Sequence, residues 1–152
     1  METATTKNSN FEIILDYIKD LSFEIPSADC FIDAAQNLDK YHTKIDISNK
    51  AIKDNIIELN CKLIFDAPKE ITNRIHAECC LGILFKVINK DLTVKDVERI
   101  ILIEIPSLYA KKLADIITDL FHKSGFKSFK FSKEISFEEL YDRQFTNLTQ
   151  KN

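Results

Sequence analysis

The chain has 152 residues, of which 45% are hydrophobic and 30% charged, and its formal net charge is −3. This composition is typical of a globular protein that can bury a substantial core without cross-links. We therefore expect a single domain over residues 1–152, with flexible tails at 1–10 and 143–152. The small negative charge argues against a nucleic acid partner, because such a partner requires a basic surface.

The N-terminal residues and the cysteines indicate the compartment. No basic start followed by an apolar run is present, so we expect no secretory signal. The longest apolar runs, such as residues 100–103, are too short to span a bilayer, and we expect no direct membrane insertion. The four cysteines, Cys30, Cys61, Cys79 and Cys80, show no C-x-x-C spacing and fit a reducing compartment. The expected location is the cytoplasm.

Residues 11–26 carry two periodic patterns at once. Apolar residues recur at every second position, which predicts a strand, while a helical stripe also fits the same stretch. Four acids recur at every fourth position and form a row opposite the apolar face in either case. Pro26 ends the segment. The alternating apolar residues are Phe11, Ile13, Leu15, Tyr17, Leu21, Phe23 and Ile25, and the acids are Glu12, Asp16, Asp20 and Glu24.

The next part of the chain predicts three more strands. Residues 27–39 have no clear period and read as a loop that buries Cys30 and Phe31, or as a short helix. Alternation then predicts strands at 41–48, 57–65 and about 71–87, the last with a bend at Gly82. The polar connection at 49–55 is short, so the strands on either side of it should be antiparallel.

Helical spacing begins after the fourth predicted strand. Thr93 is a candidate N-cap with Asp96 in the first turn, and Pro106 should interrupt the helix that follows. An apolar stripe over 109–121 predicts the main helix, and Gly125 is its expected C-terminal cap. A capping box of Ser136 and Glu139 predicts a third, short helix. The expected fold class is α+β, a four-stranded antiparallel sheet with helices packed on one face.

The sequence contains no pattern that predicts catalysis or a cofactor. Two glycines, Gly82 and Gly125, cannot form a glycine-rich phosphate loop. His42, His76 and His122 fall on different predicted elements, so we expect no metal site.

One row of residues on the fourth predicted strand has the residue types of a nucleophile set. His76, Glu78 and Cys80 alternate along the strand and share a face, but neighbours on one face lie about 6.6 Å apart, beyond direct hydrogen bonding. We therefore favour a row that faces solvent or an interface, with a cysteine-dependent enzyme as a remote alternative.

Several motifs lie in order along nearly the whole chain. The two at its ends are Tyr17, Lys19, Asp20, Leu21, Ser22, Phe23, Glu24 and Pro26, and Ile135, Phe137, Leu140 and Tyr141. Between them, Glu78 and Phe85 are seven residues apart, and Pro106 is followed twenty residues later by Phe126 after Gly125. These residues and spacings resemble those of the SecB protein-export chaperone family. Lys111, Lys112, Leu113 and Ala114 replace the family's P-[FY]-A-R segment, which indicates a divergent member.

The resemblance implies a function. Family members are ATP-independent cytosolic holdases that assemble as homotetramers (dimers of dimers), bind unfolded precursor proteins and deliver them to the SecA motor. Asp20, Glu24 and Glu78 match the surface for the C-terminal tail of SecA, and the strand reading of 11–26 places the first two outward beside Asp16.

For the client groove, the resemblance leads us to five apolar positions that would serve equally well as plain core: Ile45, Ile47, Phe137, Leu140 and Tyr141. A SecB-like chaperone dedicated to one partner, such as an antitoxin, is the alternative.

Overall fold

The computed structural model describes the backbone of residues 6–132 and 134–149, with side chains up to residue 143. The predicted tails, 1–10 and 143–152, lie partly outside these residues. The elements are β1 (Phe11–Glu24), α1 (Asp29–Asn37), β2 (His42–Lys53), β3 (Ile56–Asp66), β4 (His76–Val87), α2 (Val94–Arg99), α3 (Ile105–Lys123) and α4 (Phe137–Thr149).

The four strands form one antiparallel sheet in the order β1-β4-β3-β2, so β1 and β2 are its edges. Helix α3 packs on β4 and β3, and it buries Leu113, Ile117 and Phe121 completely against them. Burial of these apolar side chains is the main stabilising contribution to such a sheet–helix layer. The predicted α+β fold with helices on one face is confirmed. The opposite face of the sheet is called the outer face below.

Strand β1 does not keep the uniform alternation that the sequence predicted. Its register with β4 slips by one residue between Ile13 and Leu15 and again between Ile18 and Asp20. Each slip is a β-bulge, which adds one residue to β1 and reverses which side chains face the helices. Leu15 and Tyr17 therefore point to the outer face, not into the core as predicted, and the second bulge restores the original phase.

The first bulge lays the Tyr17 ring over Gly82, its register partner on β4. A Cβ atom at Gly82 would lie 2.4 Å from Tyr17 Cζ, so this close approach requires a glycine. The Tyr17 hydroxyl donates a hydrogen bond to Glu58 on β3, and the ring thus bridges three strands. The predicted bend at Gly82 is wrong, because the register slips lie on β1 and β4 continues without one.

Gly82→Ala should lower the free energy of unfolding by about 1–2 kcal/mol, because the new methyl group displaces the Tyr17 ring. In a Tyr17→Ala background the same change should cost almost nothing. Urea unfolding of the four variants measures this coupling. Equal costs of Gly82→Ala in both backgrounds would contradict the assigned contact.

Three predicted boundaries differ from the observed ones. Residues 29–37 form a helix, α1, in which Cys30 is buried as predicted but Phe31 is 40% exposed. Strand β2 continues to Lys53, and the connection is a two-residue turn at Asp54 and Asn55, both with positive φ. Strand β4 begins at residue 76 because the preceding Ile75 N–H donates to the Tyr41 hydroxyl (2.9 Å), outside the strand ladder.

Pro106 does not interrupt the helix as predicted. Helices α2 and α3 are joined by a π-helical stretch, Ile100–Glu104, in which the Ile105 N–H donates to the Ile100 carbonyl. This wider turn carries the chain past the proline, which cannot donate a bond of its own. The cap predictions at Thr93 and Gly125 are confirmed, the latter with the Phe126 N–H donating to the Phe121 carbonyl (2.9 Å). No helix in the described part of the chain is long and apolar enough to cross a membrane.

Candidate functional site

Aromatic rings form the floor of a groove beside β2. The Phe65 ring centroid lies between 5.3 and 5.6 Å from those of Tyr41, Phe121, Phe129 and Phe131. Phe121, fully buried, stacks on Phe129 at 3.9 Å and supports it from the core side. Packed rings of this kind form a rigid apolar surface.

The groove above this floor, called the aromatic groove, is an open cleft of about 530 Å³. It lies between strand β2, the 3₁₀ turn after α1 and the chain from residue 129 to 143. Acidic Asp39, Glu134 and Glu139 and basic Lys130 and Arg143 line its rim. An apolar floor with a mixed-charge rim suits an apolar polypeptide segment better than a single small charged ligand.

All five predicted groove residues meet in a second, smaller pocket of about 110 Å³, together with Leu102. This pocket adjoins the aromatic groove, since Ile45 and Leu140 line both. Its members differ in exposure. Phe137 and Tyr141 are almost fully buried and belong to the core, whereas Ile45, Ile47 and Leu140 keep part of their surface accessible. The accessible three are the ones that can contact a ligand without a change of fold.

Two parts of this surface were not predicted from the sequence. Phe129 and Phe131 provide two of the rings of the aromatic groove. They follow the Gly125 cap and are separated by Lys130 alone, and this alternation of aromatic residues was the signal in the sequence. A further apolar cleft of about 510 Å³ lies at α2 and shares Leu102 with the small pocket. Val94, 89% exposed, lies on its rim. Apolar surface therefore continues from the aromatic groove to α2.

The three acids assigned to a partner surface lie together on the outer face. In the register of β1 with β4, Asp20 is opposite Cys80, Ser22 is opposite Glu78 and Glu24 is opposite His76. Paired residues of antiparallel strands point to the same side of a sheet. Asp20, Glu24 and Glu78 are called the acidic face below, and the groove lies on the helix side of the sheet, away from it.

Asp16 does not belong to this row, contrary to the prediction. Between the two bulges its side chain turns to the helix side, where it accepts a hydrogen bond from the Tyr109 hydroxyl (3.0 Å) and pairs with Lys112. Burial and the neighbouring Asp16 raise the pKa of Tyr109. Lys112 belongs to the segment in which this chain departs from the family motif, so that departure provides a link between α3 and β1.

Among the described residues, Glu78 is the one member of the acidic face with cationic partners. His76 Nε2 lies 2.7 Å from Glu78 Oε2, and Lys62 Nζ lies 3.2 Å from Glu78 Oε1. His76 also contacts Asp66, with 3.2 Å between Nδ1 and Oδ2. The expectation that His76 and Glu78 are too far apart to bond was wrong, because their side chains lean together across the spacing of their backbone positions.

The cysteines have no nucleophilic environment. All four are buried and unpaired, and Cys80 is only 6% exposed, so of the two predicted environments, solvent or an interface, solvent is wrong for Cys80. Burial raises the pKa of Cys61 to about 12 and that of Cys79 to about 11, and it also raises the pKa of Cys80. Cys61, Cys79 and Cys80 therefore remain protonated and unreactive at neutral pH. No cluster of three potential metal ligands occurs in the ranges 6–132 and 134–143.

The described residues thus combine an accessible apolar groove on the helix side of the sheet with an acidic outer face. The chain belongs to the SecB family: the family's sequence model, described as preprotein translocase subunit SecB, matches residues 4–148. Members of this family are chaperones, not enzymes. The alternative of a cysteine-dependent enzyme is therefore wrong.

Individual relatives agree with this assignment. The chain is 37% identical over 135 residues to a putative protein-export protein SecB of Pelagibacter ubique, covering 89% of this chain and 96% of that one. It is 25% identical over 128 residues to the protein-export protein SecB of Caulobacter vibrioides, covering 84% and 77%. Among solved structures, it is similar to a SecB-like chaperone of Mycobacterium tuberculosis in complex with an antitoxin peptide, with a TM-score of 0.62, 9% identity and coverage of 84% and 88%. That likeness concerns the fold alone.

Proposed function

We propose that this chain is an ATP-independent cytoplasmic holdase that binds unfolded precursor proteins in its apolar groove and delivers them to the SecA motor. The observation that carries the proposal is the accessible apolar surface from the aromatic groove to α2, in a chain that belongs to an export-chaperone family. An exposed groove is enough for a holdase, because binding the unfolded client directly lowers the concentration that can aggregate.

The client contacts in this proposal are Ile45, Ile47 and Leu140, supported from below by Phe137 and Tyr141. An extended client segment would place its apolar side chains on the aromatic floor and in the small pocket. The Mycobacterium tuberculosis protein of similar fold was solved in complex with a peptide, which supports polypeptide binding as the activity.

Assembly as a homotetramer, a dimer of dimers, is part of the proposal. Strand β1 is a sheet edge, and Ile14, Leu15, Ile18 and Leu21 along it are 38–48% exposed. A long, apolar edge strand favours association with a second copy, which covers both its side chains and its free backbone groups. The bulges at residues 14 and 19 restrict where such pairing can occur.

The acidic face is the proposed docking surface for the C-terminal tail of SecA. Asp20 and Glu24 make no ion pair in the described part of the chain, so their charges are available to a basic partner. Complementary charge of this kind speeds encounter and fixes orientation.

Asp20→Lys combined with Glu24→Lys should abolish capture of this chain by an immobilised SecA tail, since two attractions become repulsions. Pull-down at physiological salt measures the effect. Glu12→Lys with Glu70→Lys, two acids outside the acidic face, makes the same change of net charge and should leave capture intact. Equal loss in both double variants would point to net charge alone and contradict the assigned face.

A chaperone dedicated to one partner, such as an antitoxin, is the second candidate, and it is favoured by the antitoxin peptide in the complex of the Mycobacterium tuberculosis relative. In that case SecA contact is lost. The unmodified chain would then fail to bind the SecA tail while still binding its one client.

A further inference from the structure

We propose that His76 competes from within the chain for the acidic face, so that a cationic partner binds more tightly once the imidazole has lost its proton. This inference rests on the proposed docking function and concerns its regulation. To bind Glu78, the cationic segment of the partner would have to displace the basic side chains that pair with this carboxylate in the free chain.

Those groups occupy both carboxylate oxygens of Glu78. His76 Nε2 lies 2.7 Å from one oxygen and Lys62 Nζ lies 3.2 Å from the other. Glu24, in contrast, accepts only the Ser22 hydroxyl (3.2 Å), and Asp20 has no hydrogen bond in the described part of the chain. Of the three acids, Glu78 alone is therefore neutralised before any partner arrives.

This neutralisation depends on pH because the number of N–H donors on the His76 imidazole changes with pH. His76 contacts two carboxylates, Glu78 through Nε2 and Asp66 through Nδ1 (3.2 Å). An imidazolium ion donates from both nitrogens, whereas a neutral imidazole carries one N–H and can satisfy only one of the two acids. Loss of the proton leaves one carboxylate facing a nitrogen lone pair. That carboxylate then gains by turning to another cation.

The surroundings raise the pH at which this proton is lost. The hydrogen bond to Glu78 and that to Asp66 raise the pKa of His76 above its usual value, against the opposing effect of burial. The same contact lowers the pKa of Glu78, which stays ionised throughout. Below its raised pKa, His76 is charged and holds Glu78. Above it, the positive charge that competes for Glu78 is lost, so affinity for a cationic segment should rise with pH.

The other charged groups around His76 do not reverse this sign. Glu24 on β1 is its register partner, and Lys62 on β3 keeps its charge across the neutral range. His42 on β2 is opposite Asp66 in the register, and Arg74 precedes β4 in the chain. Since His42 lies on the same face without a hydrogen bond to an acid in the described residues, it serves as a matched control.

The probe is an arginine-rich peptide without histidine or cysteine, so that the peptide itself does not titrate. Its affinity for the full chain, measured by fluorescence anisotropy at constant ionic strength, should rise about fivefold from about pH 6 to about pH 8.5, the expected effect of one part-exposed charge. His76→Gln, which keeps a donor but cannot be protonated in this range, should abolish the rise. His42→Gln should retain it.

Lys62→Gln provides an independent variant. It removes the other competitor and should raise affinity at both pH values while the rise with pH remains. A flat profile in the unmodified chain, or a rise that persists in His76→Gln, would overturn the inference. If the SecA tail fails to bind while the arginine peptide keeps its His76-dependent rise, the docking partner is wrong and the switch stands. Circular dichroism confirms that each variant is folded.

Discussion

Replacing Ile45 and Leu140 together by aspartate should weaken binding of an unfolded precursor at least tenfold, that is by about 1.4 kcal/mol or more. Both residues line the aromatic groove and the small pocket, and both keep part of their surface accessible. A client that packs apolar side chains there would have to desolvate two carboxylates or give up the contact. Anisotropy of a labelled precursor, diluted from denaturant into the chain, measures the affinity.

The matched control is Ile32→Asp. Ile32 is apolar and 65% exposed on α1, outside all three clefts, so the same chemical change there should leave client affinity within about twofold. Equal loss in the control and the double variant would show that any exposed apolar residue serves the client. That result would remove the groove from the proposal.

Phe121→Ala should lower the free energy of unfolding by about 3–5 kcal/mol, the largest single effect we expect. Phe121 is fully buried, and its ring meets those of Phe23, Phe65, Phe126 and Phe129 at centroid distances of 3.9–5.7 Å. Truncation leaves a cavity that these rings cannot fill without moving. Since Phe129 and Phe65 form the floor of the aromatic groove, client affinity should fall as well.

Urea unfolding measures the loss of stability, with Phe31→Ala as the control. Phe31 also stacks on Phe126, at 4.9 Å, but it is 40% exposed, and its truncation should cost only about 1 kcal/mol. A cost below about 1 kcal/mol for Phe121→Ala would contradict the assignment of this ring to the centre of the core.

The fold could be predicted where one face of a helix or strand is buried and the other is exposed to solvent. The stripe over 109–121 and the caps at Thr93 and Gly125 have local causes, and the structure contains all of them. The last five residues of β2 could not be predicted, because this edge strand is exposed on both faces there and shows no alternation. The two bulges in β1 could not be predicted, because the apolar residues remain two apart through the first of them and only Lys19, a single polar residue, interrupts the alternation at the second.

The candidate site likewise contains features that could be predicted from the sequence and features that could not. The five groove positions meet in one pocket because strand and helix periodicity already placed them on inward faces. The pairs that depend on side-chain reach were not foreseen: His76 with Glu78, and Asp16 with Tyr109 and Lys112. The second of these requires the bulge, which turns Asp16 towards α3. Contacts between residues far apart in sequence have no local signature.

Native mass spectrometry of the purified chain, alone and after dilution of an unfolded precursor into it, tests the central claim most directly. A holdase of the proposed kind should appear as four copies of the 17.6 kDa chain and, without ATP, should gain the mass of one bound precursor. The folded precursor, added under the same conditions, should leave the mass unchanged. A monomer that gains no mass from the unfolded precursor would contradict the account.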